Sequence, residues 1–297
     1  GAPRARAPLR IAELGAGTGI ATRLVLSEAH RFGGLERLDA FDPSAGMRAA
    51  FRERVGGARV TIADGAFDSF AGPRDCDLVV IAQAWHWCPD FDAALARIAA
   101  HLRPGGVLAL LWNLEDRSAP WVARLRDMYE AYEDGTPQYR HMAWRQMYEV
   151  PAFAHFRARE SVHVKWAVPT SAAGVLERML SKSYVSVLPE AERAALCAQA
   201  RRVLPATAGV WDYPYQTGMC YAHETCSCSS ASRLDRAVEK GRDILAFVAL
   251  HGADGEHAVL DRARGEVVQH RVVRRREHAG VVDDRRRHAH AAGDVRG

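Results

Sequence analysis

The chain has 297 residues, 48% of them hydrophobic, and a formal net charge of +4. This length can bury one sizeable core, and the small charge surplus predicts no nucleic-acid partner, because such a partner requires clustered basic side chains. No stretch approaches the roughly 18 consecutive apolar residues of a membrane span and no signal pattern opens the chain, so we expect a cytoplasmic protein without a membrane partner.

Seven strands are predicted, and helix-compatible segments separate the first five. The strands are predicted at residues 9–14, 37–41, 60–63, 77–82, 107–112, 161–168 and 211–221. The first five are continuous apolar runs, which are typical of strands covered by helices on both faces. We therefore predict an α/β fold with a doubly wound, mostly parallel, seven-stranded sheet.

Helices are predicted between and after these strands. Their segments are residues 20–32, 45 onward through Met47 and Phe51, 119–132, 171–187 and 189–204. Ser44 is in position to cap the second of them. The aromatic side chains between residues 121 and 148 fit a packed core better than an acceptor pocket, because their spacing is helical.

A glycine-rich turn joins the first strand to the first helix, with Glu13 closing the strand and glycines at 15, 17 and 19. Glycine lacks a Cβ and tolerates positive φ, so such a turn lets a ligand approach the backbone closely. The dinucleotide pattern G-x-G-x-x-G requires a glycine where Ile20 stands, and no Gly-Lys-Ser/Thr follows, as it would in a phosphate-binding loop. The spacing therefore disfavours a nicotinamide-dependent oxidoreductase, which stays as a rival hypothesis.

The segment from Glu13 to Gly19 resembles motif I of the Rossmann-like (class I) methyltransferases, which use S-adenosylmethionine. The resemblance implies that Glu13 helps to hold the ammonium end of this cofactor. Asp42, which ends the second strand, stands where these enzymes place a carboxylate that accepts both ribose hydroxyls, and an acceptor-only group suits two donors. Asp64, after the third strand, stands where the family reads the adenine edge.

The same resemblance implies a cofactor site that extends along these loops to the end of the fourth strand. Its residues are Glu13, Gly15, Ala16, Gly17, Thr18, Gly19, Asp42, Pro43, Met47, Asp64, Gly65, Ala66, Gln83 and Ala84. Gln83 and Ala84 are predicted to lie beside the first strand, at the switch point where doubly wound sheets bind ligands.

The segment AQAWHWCPDFDAAL, at residues 82–95, closely resembles a methyltransferase family of fungal genomes that is related to the trans-aconitate methyltransferases. LWNLEDR, TPQYR, SKSYV and YPYQT agree with it at residues 111–117, 136–140, 181–185 and 213–217. This resemblance implies methyl transfer to a small-molecule acceptor, with an oxygen nucleophile such as a carboxylate or hydroxyl favoured. Trp85, Trp87, Asn113 and Tyr139 are predicted to line the acceptor pocket.

His86 lies in the segment that should face the reactive methyl group. A hydroxyl acceptor is helped by a general base, and histidine has an unperturbed pKa near 6.5, so His86 is the candidate catalytic residue. A carboxylate acceptor needs no base. The alternative hypothesis is a packed histidine between Trp85 and Trp87.

The composition of the chain changes after Tyr221. Residues 222–297 contain one aromatic side chain, Phe247, and are rich in Ala, Arg, Gly, Asp and His, which predicts a disordered tail with a marginal helix at 243–250. We expect a methyltransferase domain at 1–221, truncated at its N-terminus because the first strand begins near Leu9. The tail at 222–297 has the composition expected of a frame-shifted extension.

The cysteines and histidine near this boundary do not predict a metal site. Cys220, His223, Cys226 and Cys228 depart from the usual ligand spacing of zinc sites, and the six cysteines are spread as reduced thiols commonly are. The missing N-terminal segment leaves an alternative function, a non-catalytic protein that binds S-adenosylmethionine without turnover. The sequence predicts no particular oligomeric state.

Overall fold

Seven strands form the central sheet. The computed structural model describes residues 8–206, 209–225, 259–260 and 267–268. The strands of the sheet are β1 (Leu9–Leu14), β2 (Leu35–Phe41), β3 (Val60–Ala63), β4 (Cys76–Ala82), β5 (Leu102–Glu115), β6 (Phe156–Thr170) and β7 (Trp211–Glu224). A separate antiparallel pair joins β8 (Val259–Leu260) to β9 (Val267–Val268).

The order of the strands places a crevice beside β1. The sheet order is β3-β2-β1-β4-β5-β7-β6, with β1 to β5 parallel and β7 antiparallel to both of its neighbours. The chain runs from β1 through β2 to β3 at one edge of the sheet and then crosses over to β4, which pairs with the other side of β1. The carboxyl ends of β1 and β4 therefore form the switch point of the sheet. This sheet confirms the predicted α/β fold class.

The sheet is covered on both faces, which explains its continuous apolar strands. Val79, Val80 and Ile81 of β4 have no exposed surface, although successive side chains point to opposite faces. One face packs against Val25 and Phe51 of the helices that follow β1 and β2, and the other packs against the helix after β4. Burial on both faces therefore replaces the alternation of a half-exposed sheet.

The five predicted helical segments are occupied with two changes, and a further helix lies between β4 and β5, where no helix bounds were predicted. The helices are α1 (Ile20–Glu28), α2 (Ala45–Arg54), α3 (Phe91–His101), α4 (Pro120–Glu130), α5 (Ala172–Leu180), α6 (Ser183–Ser186) and α7 (Glu190–Arg201). The helix predicted at 20–32 ends at Glu28 and continues as a 3₁₀ turn, and the helix predicted at 171–187 is interrupted where Lys182 has an extended backbone. Ser44 caps α2 as predicted, accepting from the Met47 backbone N–H at 3.3 Å.

The helices α4 to α7 form a cap on β6 and β7. Val122, Val175 and Leu196 of the cap pack in one apolar cluster with Trp166 of β6 and Tyr213 of β7. None of the helices within the described ranges has the length and hydropathy that crossing a membrane requires. The cap thus consists of short helices that bury their apolar faces against the sheet.

β7 continues beyond Tyr221, the predicted end of the domain. His223 pairs with Val107 of β5, and the Thr225 backbone N–H donates to the carbonyl of His155 at 2.7 Å. The boundary predicted at 221 therefore falls inside a strand. Apart from β8 and β9, the remainder of the predicted tail, including the helix predicted at 243–250, lies outside the described residues.

Candidate cofactor and acceptor site

The glycine-rich turn after β1 lies against the ends of two neighbouring strands. Gly15 has a φ of +68°, and its backbone N–H donates to the carbonyl of Phe41 at 2.8 Å. A Cβ built at Gly15 would lie 2.6 Å from the Cβ of Ala84, so a larger residue would push the two loops apart. The turn therefore holds the carboxyl ends of β1, β2 and β4 close together.

Gly17, at the centre of the turn, borders open space. Its φ is +55°, yet a Cβ built there would meet no atom within 4 Å. It is flanked by Ala16 and Thr18, and Gly19 then precedes α1 with a φ of +79° and no side-chain cap. The backbone of the turn is accessible on this side, as a ligand that approaches the chain closely requires.

Glu13 lies almost completely buried beside the turn. Its Oε2 accepts a hydrogen bond of 2.5 Å from the hydroxyl of Thr22 on α1. Burial raises the pKa of Glu13 to about 7, although the Thr22 hydrogen bond lowers it, and the charge of Asp42 adds a smaller increase. A cation bound next to this carboxyl would lower its pKa and so favour the carboxylate form.

The carboxylate of Asp42 joins the glycine-rich turn to the start of α2. Its Oδ2 accepts from the Gly17 backbone N–H at 2.9 Å, and its Oδ1 accepts from the Ser44 backbone N–H at 2.8 Å. The side chain is buried, and its own carbonyl accepts from the Arg48 guanidinium at 2.8 Å. Each carboxylate oxygen still has capacity for a further donor.

Asp64 lies at the outer edge of the same region. Its side chain is 74% exposed and forms an ion pair of 2.8 Å with Arg48, which connects it to Asp42. Adjacent predicted residues are exposed or half-buried: Pro43, Met47, Gly65 and Ala66. The loops after β2 and β3 therefore form one accessible surface next to the glycine-rich turn.

Gln83 follows β4 in a conformation that L residues rarely adopt. Its φ is +60°, its backbone N–H donates to the carbonyl of Leu111 at 2.8 Å, and its side-chain Nε2 donates to the carbonyl of Asn113 at 2.9 Å. A left-handed conformation costs a non-glycine residue on the order of 1 kcal/mol, and such residues cluster at functional sites. The two hydrogen bonds to β5 hold the strained turn in place.

Trp85 is placed differently from the prediction that it lines the acceptor pocket. Its side chain is completely buried, and its Nε1 donates to the sulfur of Met147 at 3.1 Å. The rings of Phe67 and Phe91 lie 5.4 Å from it. The 3₁₀ turn Trp85–Trp87 directs this indole into the core. Trp85 therefore packs beneath the turn and does not line an open acceptor pocket.

The same turn presents His86 and Trp87 closer to the surface. Trp87 is 47% exposed, and His86 is half-buried. The indole N–H of Trp112 donates to Nδ1 of His86 at 3.2 Å. Burial lowers the pKa of His86 to about 4. The histidine is therefore neutral at physiological pH.

Trp112 connects Tyr139 to His86, whereas Asn113, the next residue of β5, directs its side chain to the opposite face of the sheet. The side-chain Oδ1 of Asn113 accepts from the hydroxyl of Thr217 at 2.6 Å, so its amide NH₂ is left as a donor. Tyr139 stacks on Trp112 with ring centroids 4.5 Å apart, and burial raises the pKa of its hydroxyl. The candidate catalytic residue His86 and the predicted pocket residues Trp87 and Tyr139 thus lie on one face near the ends of β4 and β5, and the predicted pocket residue Asn113 lies on the other face.

Comparison with known proteins shows the family of the chain. A family profile described as "Methyltransferase domain" matches residues 12–110, which run from the second half of β1 through most of β5. An uncharacterised methyltransferase of Mycobacterium tuberculosis is 30% identical over 196 residues, which cover 66% of this chain and 73% of the relative. The chain belongs to the S-adenosylmethionine-dependent methyltransferases.

Two further proteins are similar to this methyltransferase. A trans-aconitate 2-methyltransferase of Variovorax paradoxus is 30% identical over 218 residues, which cover 64% of this chain and 80% of the relative. The solved structure of a putative type II methyltransferase from Anaeromyxobacter dehalogenans has a TM-score of 0.51 at 23% identity, covering 73% of this chain and 88% of that one. The latter similarity concerns the fold.

A buried ionic cluster of the methyltransferase lies at the end of β5 and anchors the cap. Glu115 is almost completely buried, and its Oε1 accepts from Lys182 at 2.7 Å and from Arg178 at 3.2 Å. The hydroxyl of Tyr129 on α4 donates to its Oε2 at 3.3 Å. Burial alone would raise the pKa of Glu115, but the two cations outweigh it and lower the pKa to about 2.

Several residues of this region were not among the predicted site residues. Thr22 holds Glu13, Arg48 joins Asp42 to Asp64, and Trp112 donates to His86. Thr22 lies in the first turn of α1, on its buried face, and it is a polar residue at a position where the helix packs on the sheet. The Trp112–His86 contact joins β5 to the turn after β4 across 26 residues of sequence, and no local spacing indicates it.

Proposed function

We propose that the methyltransferase binds S-adenosylmethionine across the carboxyl ends of β1, β2 and β4 and methylates an oxygen of a small-molecule acceptor held above β4 and β5. The observation that carries this proposal is the pairing of buried Glu13 with the open backbone at Gly17. Within the described part of the chain Glu13 bonds to Thr22 and has no cationic partner. A ligand ammonium is the group that such a carboxyl lacks.

A bound S-adenosylmethionine supplies a methyl group on a sulfonium, so that the protein's own task is to bind, orient and exclude water. We assign Glu13 to the ammonium end, next to the glycine-rich turn. Asp42 is assigned to the ribose because each of its oxygens accepts one backbone N–H and keeps room for one hydroxyl donor. The same contacts preorganise the carboxylate before the ligand arrives.

The adenine is assigned to the surface beyond Asp42. Asp64 offers an acceptor there, and the backbone at Gly65 and Ala66 lies beside it, with the Ala66 N–H donating to the Ser69 hydroxyl at 3.4 Å. Met47 is exposed for apolar contact. Arg48 binds Asp64 at 2.8 Å, so the adenine amino group would share or replace that ion pair. Gln83 and Ala84 complete the site where β4 meets the glycine-rich turn.

The acceptor is assigned to the end of β4 and β5, where His86, Trp87 and Tyr139 lie on the Trp112 face of the sheet and Asn113 lies on the other face. These side chains offer aromatic surface together with N–H donors, a combination that suits a small organic anion. The similarity to a trans-aconitate 2-methyltransferase supports an oxygen acceptor of this kind. A small molecule fits because the contacting groups come from a few turns at one end of the sheet.

A screen with a radioactive methyl donor tests this proposal. The full chain is incubated with labelled S-adenosylmethionine and separate pools of small carboxylic acids, including trans-aconitate, small alcohols, phenols and amines. We expect label in one or more oxygen acceptors and its loss in Asp42→Ala. Binding of S-adenosylhomocysteine without label in any pool would favour the non-catalytic alternative, and label only in amines would contradict the oxygen assignment.

A further inference from the structure

We propose that Trp112 is a positioning residue that holds His86 as a neutral hydrogen-bond donor, and that this pair directs the methyltransferase to carboxylates rather than to hydroxyls that need a base. The proposal rests on the proposed function, since it concerns the acceptor side of the same site. It replaces the general-base role predicted for His86 from the sequence.

The direction of the hydrogen bond decides the tautomer of His86. The indole Nε1 of Trp112 carries one hydrogen and cannot accept, so the Nδ1 atom at 3.2 Å must be the acceptor. A neutral imidazole with its lone pair on Nδ1 carries its single proton on Nε2. Nε2 makes no hydrogen bond to any residue that the structure describes, so its N–H is free to donate to a ligand.

Trp112 is held firmly enough to impose this arrangement. Its side chain is almost completely buried, and its ring lies 4.5 Å from the ring of Tyr139 and 4.6 Å from the ring of Trp144. The indole of Trp144 in turn donates to the carbonyl of Tyr139 at 3.2 Å. This stack of three rings fixes the plane of Trp112, so that its N–H continues to point at His86.

The surroundings of His86 also keep the ring neutral. Protonation of Nδ1 would bring its N–H into contact with the indole N–H of Trp112, which repels it. Burial also lowers the pKa of the ring to about 4. The rings that face His86 are Trp87 at 5.5 Å and Trp112, and neither side chain titrates. No charged side chain of the described residues contributes to this lowered pKa.

A neutral Nε2–H donor suits one class of oxygen acceptor. One oxygen of a carboxylate can accept from Nε2–H while the other attacks the methyl carbon, forming the O–CH₃ bond as the S–CH₃ bond breaks and its electron pair stays on sulfur. The carboxylate and the sulfonium become a neutral ester and a neutral thioether, and no proton moves. A hydroxyl acceptor must lose a proton, and neither nitrogen of His86 can take it.

The state of the ring is measured directly by ¹H–¹⁵N correlation spectra of histidine side chains, with His86→Gln for assignment. We expect an Nε2–H tautomer in the wild-type chain and no protonation of His86 between pH 5.5 and 8. Trp112→Phe removes the donor and should give mixed tautomers with a pKa shifted toward the usual value. Trp144→Phe is the matched control, because it trims the same aromatic stack without removing a hydrogen bond to His86.

These spectra also provide the contradicting results. An Nδ1–H tautomer or a titration of His86 near pH 6.5 in the wild-type chain would overturn the proposal, and this result needs His86→Gln only to assign the signal. An unchanged His86 signal in Trp112→Phe would show that the indole does not set the tautomer. Neither outcome depends on turnover, so both are distinct from a failure of the proposed function.

The activity arm uses the acceptors found by the screen, each paired with the alcohol that matches it. With S-adenosylmethionine kept saturating, we expect carboxylates to be methylated at least tenfold faster than their alcohols, with a rate that is flat between pH 5.5 and 8. His86→Gln, which keeps an N–H donor, should retain the rate within about tenfold, and His86→Leu should lose about tenfold more.

Preference for alcohols would overturn the proposal, as would equal losses in the two variants. If no acceptor is methylated, the proposed function fails, and the spectra still decide the tautomer of His86.

Discussion

At the scale of single residues, Glu13 makes cofactor binding sensitive to pH. Its pKa of about 7 means that the free protein holds a proton on this carboxyl below neutrality, whereas the pairing with an ammonium requires the carboxylate. Binding should therefore release a proton, and the apparent affinity for S-adenosylhomocysteine should fall by about tenfold for each pH unit below 7.

Calorimetry at pH 6 in buffers of different ionisation enthalpy checks this prediction. The observed heat should vary between buffers as expected for the release of about one proton, because the group is almost fully protonated before binding. Glu13→Gln should bind more weakly at pH 8 and should show no such variation. A wild-type affinity that is constant from pH 5 to pH 7 would exclude Glu13 as the ammonium partner.

Gly17 offers a second test at this scale. An alanine there adds a Cβ to open space, so the fold should be retained with a loss of about 1 kcal/mol from its positive φ, while the methyl group occupies the proposed ligand position. Gly17→Ala should therefore lose at least tenfold in affinity for S-adenosylhomocysteine. Gly57→Ala is the matched control. Gly57 also has a positive φ and open space, but it precedes the amino end of β3, whereas the glycine-rich turn lies at the carboxyl ends of the strands. Equal affinities of the two variants would contradict the assignment.

The roles of these residues differ in how far the sequence predicts them. Glu13, Gly17 and Asp42 lie at or just after the carboxyl ends of β1 and β2, and the carboxyl ends of neighbouring parallel strands lie side by side, so their proximity could be predicted. The burial of Trp85 could not, because it depends on the 3₁₀ turn after Gln83 and on Met147, which lies far along the chain.

At the scale of elements, Glu115 joins the cap to the end of β5. Glu115→Gln leaves Lys182 and Arg178 without their shared counter-charge, and breaking a buried pair costs roughly 3 kcal/mol. Because the pKa of Glu115 is lowered to about 2, its contribution to stability is complete above its ordinary pKa and is lost as the pH falls through about 2.

Urea denaturation measures this difference. Glu115→Gln should lower the free energy of unfolding at pH 7 by about 3 kcal/mol. Glu36→Gln is the control, because it removes an ion pair with Arg10 in which both side chains are about half-exposed, and it should change little. Similar losses in the two variants would show that the cluster does not anchor the cap.

The limits of the elements were predicted less well than their presence. β1 and β3 match their predicted bounds because turns flank short apolar runs. β7 extends to Glu224, beyond the predicted end at 221, because pairing with β5 supports residues whose local composition indicates a tail. The helix predicted across Lys182 is divided because that side chain reaches Glu115, a contact between segments 67 residues apart.

At the scale of the whole molecule, sheet order rather than any one residue brings the site together. β4 returns to the side of β1 opposite to β2, so the loops after β1, β2 and β4 converge at one crevice. The sequence predicted seven strands and a mostly parallel sheet, and the resemblance to the methyltransferases supplied the roles of the residues at its edge. The placement of β7 between β5 and β6 follows from long-range pairing that local patterns do not contain.

The most direct test of the account is the thermal unfolding of the full chain at pH 8 with and without S-adenosylhomocysteine. A ligand at about 100 times its Kd stabilises the folded state by roughly 2.7 kcal/mol, which should raise Tm by roughly 5–10 °C for a domain of this size. We predict this shift in the wild-type chain and its loss in Asp42→Ala. No shift in the wild-type chain at millimolar ligand would contradict a cofactor site at the glycine-rich turn.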